Sequence, residues 1–170
     1  MGDRSVTRNC GPDLVRVGAG LPVAAYRDEI TTALHGGRAV IVAPPGTGKT
    51  TFVPPLVASR CSGRVIVTQP RRVAARAAAR RLATLTGTRP GEFASHTVHG
   101  ESTTTRDTKV EFVTTGVLLR RLLSDPDLTG VDAVVLDEVH ERHLDADLVV
   151  AMVCEVAQLR DDLTIVAMSA

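Results

Sequence analysis

The feature that most constrains this chain is a repeated switch between two kinds of segment. Ala39 to Val42, Arg64 to Thr68, Val110 to Val113, Val131 to Leu136 and Thr164 to Met168 are short and rich in Val or Ile, as buried strands are. Between them lie helical candidates at Lys49 to Ser59, Arg71 to Leu85, Gly116 to Leu123 and Ala146 to Leu159, with a shorter one at Tyr26 to Leu34 ahead of the series. Apolar strands alternating with helices imply right-handed βαβ crossovers, and therefore a parallel sheet. The predicted fold class is α/β, a parallel sheet sandwiched by helices. At 170 residues and 44% hydrophobic content the chain can bury the core of one domain. Aromatic residues make up only 2%, so that core must be Val, Leu, Ile and Ala, which suits a sheet covered on both faces.

Residues outside the alternation are less regular. Met1 to Gly20 lacks periodicity and reads as a poorly ordered lead-in, with the domain running from Leu21 to Ala170. Pro90 to Thr108 is rich in Gly, Ser and Thr and reads as loop, with room for one short strand around His96 to His99. In the helix after the second strand, Ala74, Ala78, Leu82 and Leu85 follow helical spacing as an apolar side, with Arg72, Arg76 and Arg80 about opposite.

The segment Ala43-Pro44-Pro45-Gly46-Thr47-Gly48-Lys49-Thr50-Thr51 follows the first strand and opens a helix, the setting in which a phosphate-cradling loop forms. Gly46 and Gly48 let backbone N–H groups curl around phosphate oxygens, and the positive end of the helix adds to the attraction. Lys49 is expected to reach the β and γ phosphates, and Thr50 to offer its hydroxyl to Mg²⁺. Ala43 stands where the strict pattern has Gly. The competing reading is a glycine-rich turn with no ligand. Lys49 is one of two lysines among 20 basic residues, and a compact ammonium fits between phosphates where a planar guanidinium does not.

The strand Val131 to Leu136 ends in Asp137-Glu138-Val139-His140. An aspartate at that strand end can anchor Mg²⁺, and the next carboxylate can orient and deprotonate an attacking water. Asp137 is thus the expected anchor and Glu138 the expected base, the alternative being two acids that favour a helix N-terminus.

Other chemistries find less support. His140-Glu141-Arg142-His143 lacks the second intervening residue that a zinc-protease helix needs between Glu and His, and His96 and His99 read as ordinary loop histidines. Cys10, Cys61 and Cys154 are odd in number and form no CxxC pair, which fits a reducing, cytoplasmic setting. No apolar run approaches the roughly 20 residues of a membrane span. Net charge is +1, but it is unevenly spread. Arginines 60, 64, 71, 72, 76, 80, 81 and 89 fall in a stretch without an acid, whereas residues 125–170 carry eleven acids against Arg142 and Arg160, 2 − 11 = −9.

Asp137-Glu138-Val139-His140 resembles motif II of the DEAH-box helicases, with Val where the name has Ala. Thr68-Gln69-Pro70-Arg71-Arg72-Val-Ala-Ala75 resembles their motif Ia, Thr114-Thr115-Gly116-Val-Leu-Leu-Arg120 their motif Ib, and Met168-Ser169-Ala170 the start of their motif III, all in family order. Residues 125–148 are most similar to the bacterial HrpB-type branch. The resemblance covers about Leu21 to Ala170.

This resemblance implies the first of two RecA-like motor domains, with ATP and Mg²⁺ at the carboxyl edge of the sheet. Nucleic acid, RNA ahead of DNA, is expected across Thr68, Gln69, Pro70, Arg71, Arg72, Thr114, Thr115 and Gly116 through backbone contacts. His140 and Ser169 inherit roles in coupling nucleotide state to strand movement. The resemblance also implies that a second RecA-like domain is missing from this chain, which would be cut short within motif III. The expected function is the ATP-hydrolysing motor domain of a nucleic-acid helicase, alone too weak to unwind duplexes. Two alternatives stay open: a nucleotide- and RNA-binding module without catalysis, and an unrelated P-loop ATPase.

Overall fold

A computed structural model describes residues 11–170. Its centre is a seven-stranded sheet formed by β1 (Arg38–Val42), β2 (Arg64–Gln69), β3 (Ala94–Val98), β4 (Glu101–Ser102), β5 (Val110–Thr114), β6 (Val131–Leu136) and β7 (Thr164–Ser169). The order is β1-β7-β6-β2-β5-β3-β4, and every pairing is parallel except the β3–β4 hairpin. The five strands read from the sequence are present, and the α/β class with them.

Strand alternation divides the core in two. Val65, Val67, Phe112, Ala133, Val135, Val166 and Met168 face one side. There α1 (Leu14–Gly18), α2 (Arg27–Leu34), α3 (Lys49–Ala58) and α4 (Arg72–Thr86) cover them. Ile66, Val113, Val134, Leu136 and Ile165 face the other side, under α5 (Thr115–Ser124) and α6 (Leu144–Leu159). Phe52 to Ala58 of α3 are all buried, so this helix is held by packing all round despite Pro54 and Pro55 within it. Parallel register brings Val42 opposite Ser169, Thr68 opposite Leu136 and Gln69 opposite Thr114, so five strands end along one edge.

Three sequence expectations shift. Residues 1–10 of the expected lead-in lie outside the described residues, but its second half forms α1, capped by Asp13 Oδ1 on the N–H groups of Val15 and Arg16 and anchored by buried Val17. Between Pro90 and Thr108 the short strand expected around His96 to His99 is β3, starting two residues earlier, and a second strand, β4, follows it; His96, expected as a loop histidine, is buried within β3. Its Nε2 lies 2.7 Å from Glu101 Oε1, and polar partners satisfy a strand that lacks an apolar alternation. In α4 the buried residues are Ala75, Ala79, Leu82 and Ala83; of the expected stripe Leu82 is among them and Ala78 and Leu85 pack partly buried against the core, while Ala75, Ala79 and Ala83 widen it on one side. Arg76, on the half-exposed side, pairs with Glu101 at the surface.

Candidate functional site

The edge where the strands end gathers the residues singled out above. The loop after β1 turns at Gly46 and Gly48, whose φ values of 78° and 92° lie in the left-handed region. A Cβ on Gly48 would also come within 3.0 Å of Leu21. Thr47 Oγ1 donates to the Pro44 carbonyl at 2.8 Å, and α3 starts at Lys49 with no side-chain cap. Its first N–H groups are therefore free to meet an anion. Pro45 and Gly46 are exposed, and Thr51 is half-buried. Lys49 is buried; its ammonium donates to the carbonyls of Ala43 and, at 3.2 Å, of Pro44.

Thr50 leaves α3 toward β6. Its Oγ1 donates to Asp137 Oδ2 at 2.6 Å, joining residues 87 apart in the sequence. Gln69 Nε2 donates to the same oxygen, also at 2.6 Å. The Asp137 N–H donates to Thr68 Oγ1 at 3.1 Å, and the Glu138 N–H to Asp137 Oδ1 at 2.9 Å. Asp137 is thus buried and hydrogen-bonded entirely by neutral donors; among the described residues no cation pairs with it.

Glu138 has φ of 54°, an uncommon position for a residue with a side chain and one that costs about 1 kcal/mol or more. The bond from Val139 N to Met168 O, 3.1 Å, helps hold that turn. His140 Nδ1 lies 3.4 Å from Glu138 Oε2 and 3.3 Å from Ser169 Oγ, so the two residues given coupling roles are adjacent.

The eight residues expected to meet nucleic acid divide. Arg71 and Arg72 are exposed, and Pro70, Thr114 and Gly116 are half-buried. Thr68, Gln69 and Thr115 are buried, and the first two turn inward to Asp137. The N-termini of α4 and α5, at Arg71 and Thr114, have no side-chain caps and lie side by side because β2 pairs with β5. Arg71 also makes an exposed ion pair with Glu141 at 3.4 Å, beside motif II.

Sequence reading missed a second polar cluster around Glu111, on the face of β5 away from α3. Burial pushes the Glu111 carboxyl up, but bidentate Arg121, Thr97 and Arg64 outweigh it and hold the carboxyl below its ordinary range. The sequence signal was an acid inside an apolar strand, with Arg121 ten residues on. Arg76 first and His96 second likewise hold Glu101 down to about 2. Burial, helped by Asp132, pushes the Cys61 thiol up to about 11. Among the described residues no group of three or more His, Cys, Asp or Glu could hold a metal, and no helix is long and apolar enough to cross a membrane.

The family model of the DEAD/DEAH box helicases matches residues 26–170. Over 154 residues the chain is 44% identical to the ATP-dependent RNA helicase HrpB of Escherichia coli (strain K12), covering 88% of this chain and 19% of that protein. It is 35% identical over 158 residues to the probable ATP-dependent RNA helicase DHX34 of Homo sapiens, covering 92% and 14%. The crystal structure of the Escherichia coli DEAH/RHA helicase HrpB superposes with a TM-score of 0.84 at 42% identity, over 89% of this chain and 20% of that one. The chain therefore spans a fifth or less of the length of these relatives.

Proposed function

The chain belongs to the DEAD/DEAH box helicases, and on that premise we propose that it is a helicase motor domain. In this reading it binds ATP with Mg²⁺ and couples hydrolysis to movement on a nucleic-acid strand, RNA ahead of DNA. The observation that carries the reading is the Thr50–Asp137 contact, which closes the phosphate loop onto the acidic motif.

The donor set suits Mg²⁺. Thr50 commits its hydroxyl hydrogen to Asp137, leaving its oxygen lone pairs for a cation. A hard cation shared with phosphates needs only one or two protein oxygens, so the lack of a larger acidic cluster among the described residues raises no conflict. Bound there with the nucleotide, Mg²⁺ would neutralise charge building on the phosphoryl oxygens. The backbone from Pro45 to Thr51 and the start of α3 cradle the phosphates. Lys49, held against the loop carbonyls, retains a third N–H for a phosphate oxygen. Glu138 is set off the strand by its left-handed backbone, half-exposed, and can orient a water and accept its proton. His140 touches both Glu138 and Ser169, a placement that supports the proposed coupling role for this pair.

Arg71, Arg72 and the two uncapped helix starts at Arg71 and Thr114 offer positive charge and N–H donors to strand phosphates without reading bases. RNA takes precedence over DNA because the relatives named above are RNA helicases. A second motor domain would face the nucleotide from the other side and supply arginines worth about 10³–10⁵ in rate. Assayed without such a domain, these 170 residues should bind ATP weakly, hydrolyse it slowly and leave duplexes intact.

An ATPase assay with and without single-stranded RNA tests the reading. RNA-stimulated turnover that disappears in Lys49→Ala and Glu138→Gln supports it. Binding of both ligands without turnover would leave a binding module, and indifference to any nucleic acid would point to an unrelated ATPase.

A further inference from the structure

Gln69 lies among the residues expected to meet the nucleic-acid strand, yet its side chain does not face solvent. It is the last residue of β2, 4% exposed, and its amide N–H lies 2.6 Å from Asp137 Oδ2, the oxygen that also accepts the Thr50 hydroxyl. A carboxylate has about four acceptor positions. Gln69 and Thr50 take two on Oδ2 and the Glu138 N–H takes one on Oδ1, so the carboxylate is fixed in rotation with one position left. Removing the amide would free the group to turn about its χ2 bond, which is soft for a terminal carboxylate.

The same residue is followed directly by Pro70 and Arg71, where α4 begins. Pro70 fixes its own φ and restricts the backbone of Gln69, so Gln69 cannot shift without carrying the start of α4 with it. The exposed Arg71–Glu141 pair is a second tie between these segments, but at 75% and 39% side-chain exposure it contributes little. The buried amide is the stiffer link.

We propose that Gln69 is a positioning residue: it holds Asp137 in the orientation that serves a nucleotide-bound divalent cation, and so ties occupancy of that site to the placement of Pro70, Arg71 and Arg72. The inference rests on the nucleotide reading above. Linkage requires the tie to act both ways, so a strand held at Arg71 and Arg72 raises affinity for the metal–nucleotide complex by the same factor that the complex raises affinity for the strand.

The test uses the 170-residue chain with ADP, Mn²⁺ as an EPR-visible stand-in for Mg²⁺, and poly(U). Gln69→Met keeps the side-chain length without the donor. We expect Mn²⁺ affinity in the ADP-bound chain to fall about tenfold, the loss of one charge-assisted hydrogen bond. ADP affinity in EDTA should stay at its wild-type value, the melting temperature should fall by only a few degrees for the lost buried hydrogen bond, and the enhancement of Mn²⁺·ADP binding by poly(U) should shrink toward none. A merely structural role would lower metal-free and metal-bound affinity together. Gln69→Asn, which withdraws the amide by one methylene, should repeat the pattern and serves if the Met variant folds poorly. Wild-type chain that binds Mn²⁺·ADP, with variants that bind it equally well and respond equally to poly(U), overturns this inference alone. Wild-type chain that binds no Mn²⁺·ADP overturns the nucleotide reading and this inference with it.

Discussion

Asp137, just past the end of β6, and Glu111, within β5, are both buried carboxylates, 6% and 1% exposed, on neighbours of β2. Their surroundings differ in one respect. Glu111 meets two guanidinium groups, with Arg121 in a bidentate grip at 2.8 and 2.9 Å and Arg64 at 3.2 Å. Asp137 meets a hydroxyl, an amide and a backbone N–H, and no cation among the described residues. An isolated buried charge is costly, and proteins normally pair it. Glu111 is paired within the fold and has a structural role; Asp137 has donors that orient it but leave its charge available to a cation from outside. On this contrast, removing one carboxylate should damage function and removing the other should damage the fold.

The largest effect should come from Asp137→Asn. Turnover should fall by about 10²–10³-fold, the loss of several kcal/mol of charge stabilisation, while the melting temperature holds or rises because an unpaired buried charge has gone. Calorimetry beside an ATPase assay checks both; a melting temperature that collapses would break the comparison. Next is Glu111→Gln, which strands Arg64 and Arg121. It should cost about 3–5 kcal/mol and lower the melting temperature on the order of 10 °C, with nucleotide affinity of the folded chain unchanged.

Acid sharpens the contrast further. Glu111 and Glu101 are both held below the ordinary carboxyl value of 4.5, Glu101 at about 2. A depressed carboxyl contributes stability that is fully present above its unfolded value and is lost as pH falls through its folded one. Melting temperature should therefore begin to drop below about pH 4.5, Glu101's share going by about pH 2. Glu101→Gln should flatten the curve across that window, and an unchanged curve would count against the Arg76–Glu101–His96 cluster. The smallest effect is expected from Arg71→Ala at the exposed edge. RNA binding should weaken a few-fold at moderate salt, with the salt-dependence slope reduced by about one.

Much of this was legible in the sequence, for identifiable reasons. The inner Val-rich strands β2, β5 and β6 carry their own signal because both faces are buried, and the phosphate loop does because glycine spacing, lysine and helix start coincide within a few residues. β3 was legible only as a short strand around His96 to His99: Ala94 and Val98 join the core, but Ser95, His96 and Thr97 between them are held by polar partners at Thr104, Thr103 and Glu111. Gln69 belonged to a recognisable motif, but its contact with Asp137 depends on β2 lying beside β6, and strand order is not written locally. Likewise, Arg121 and Arg64 converge on Glu111 only once α5 and β2 are in place. Local chemistry is readable along the chain, whereas polar contacts between distant segments require the topology.

The proposed role of Thr50 and Asp137 is the cation side of a nucleotide site. Calorimetric titration of ATP into the chain, with Mg²⁺ and then with EDTA, tests it most directly. Wild-type chain should bind ATP more tightly with Mg²⁺, Asp137→Asn should lose that Mg²⁺-dependent gain, and Lys49→Ala should lose binding in both conditions. Equal binding by all three proteins, or a wild-type chain indifferent to Mg²⁺, would contradict the account.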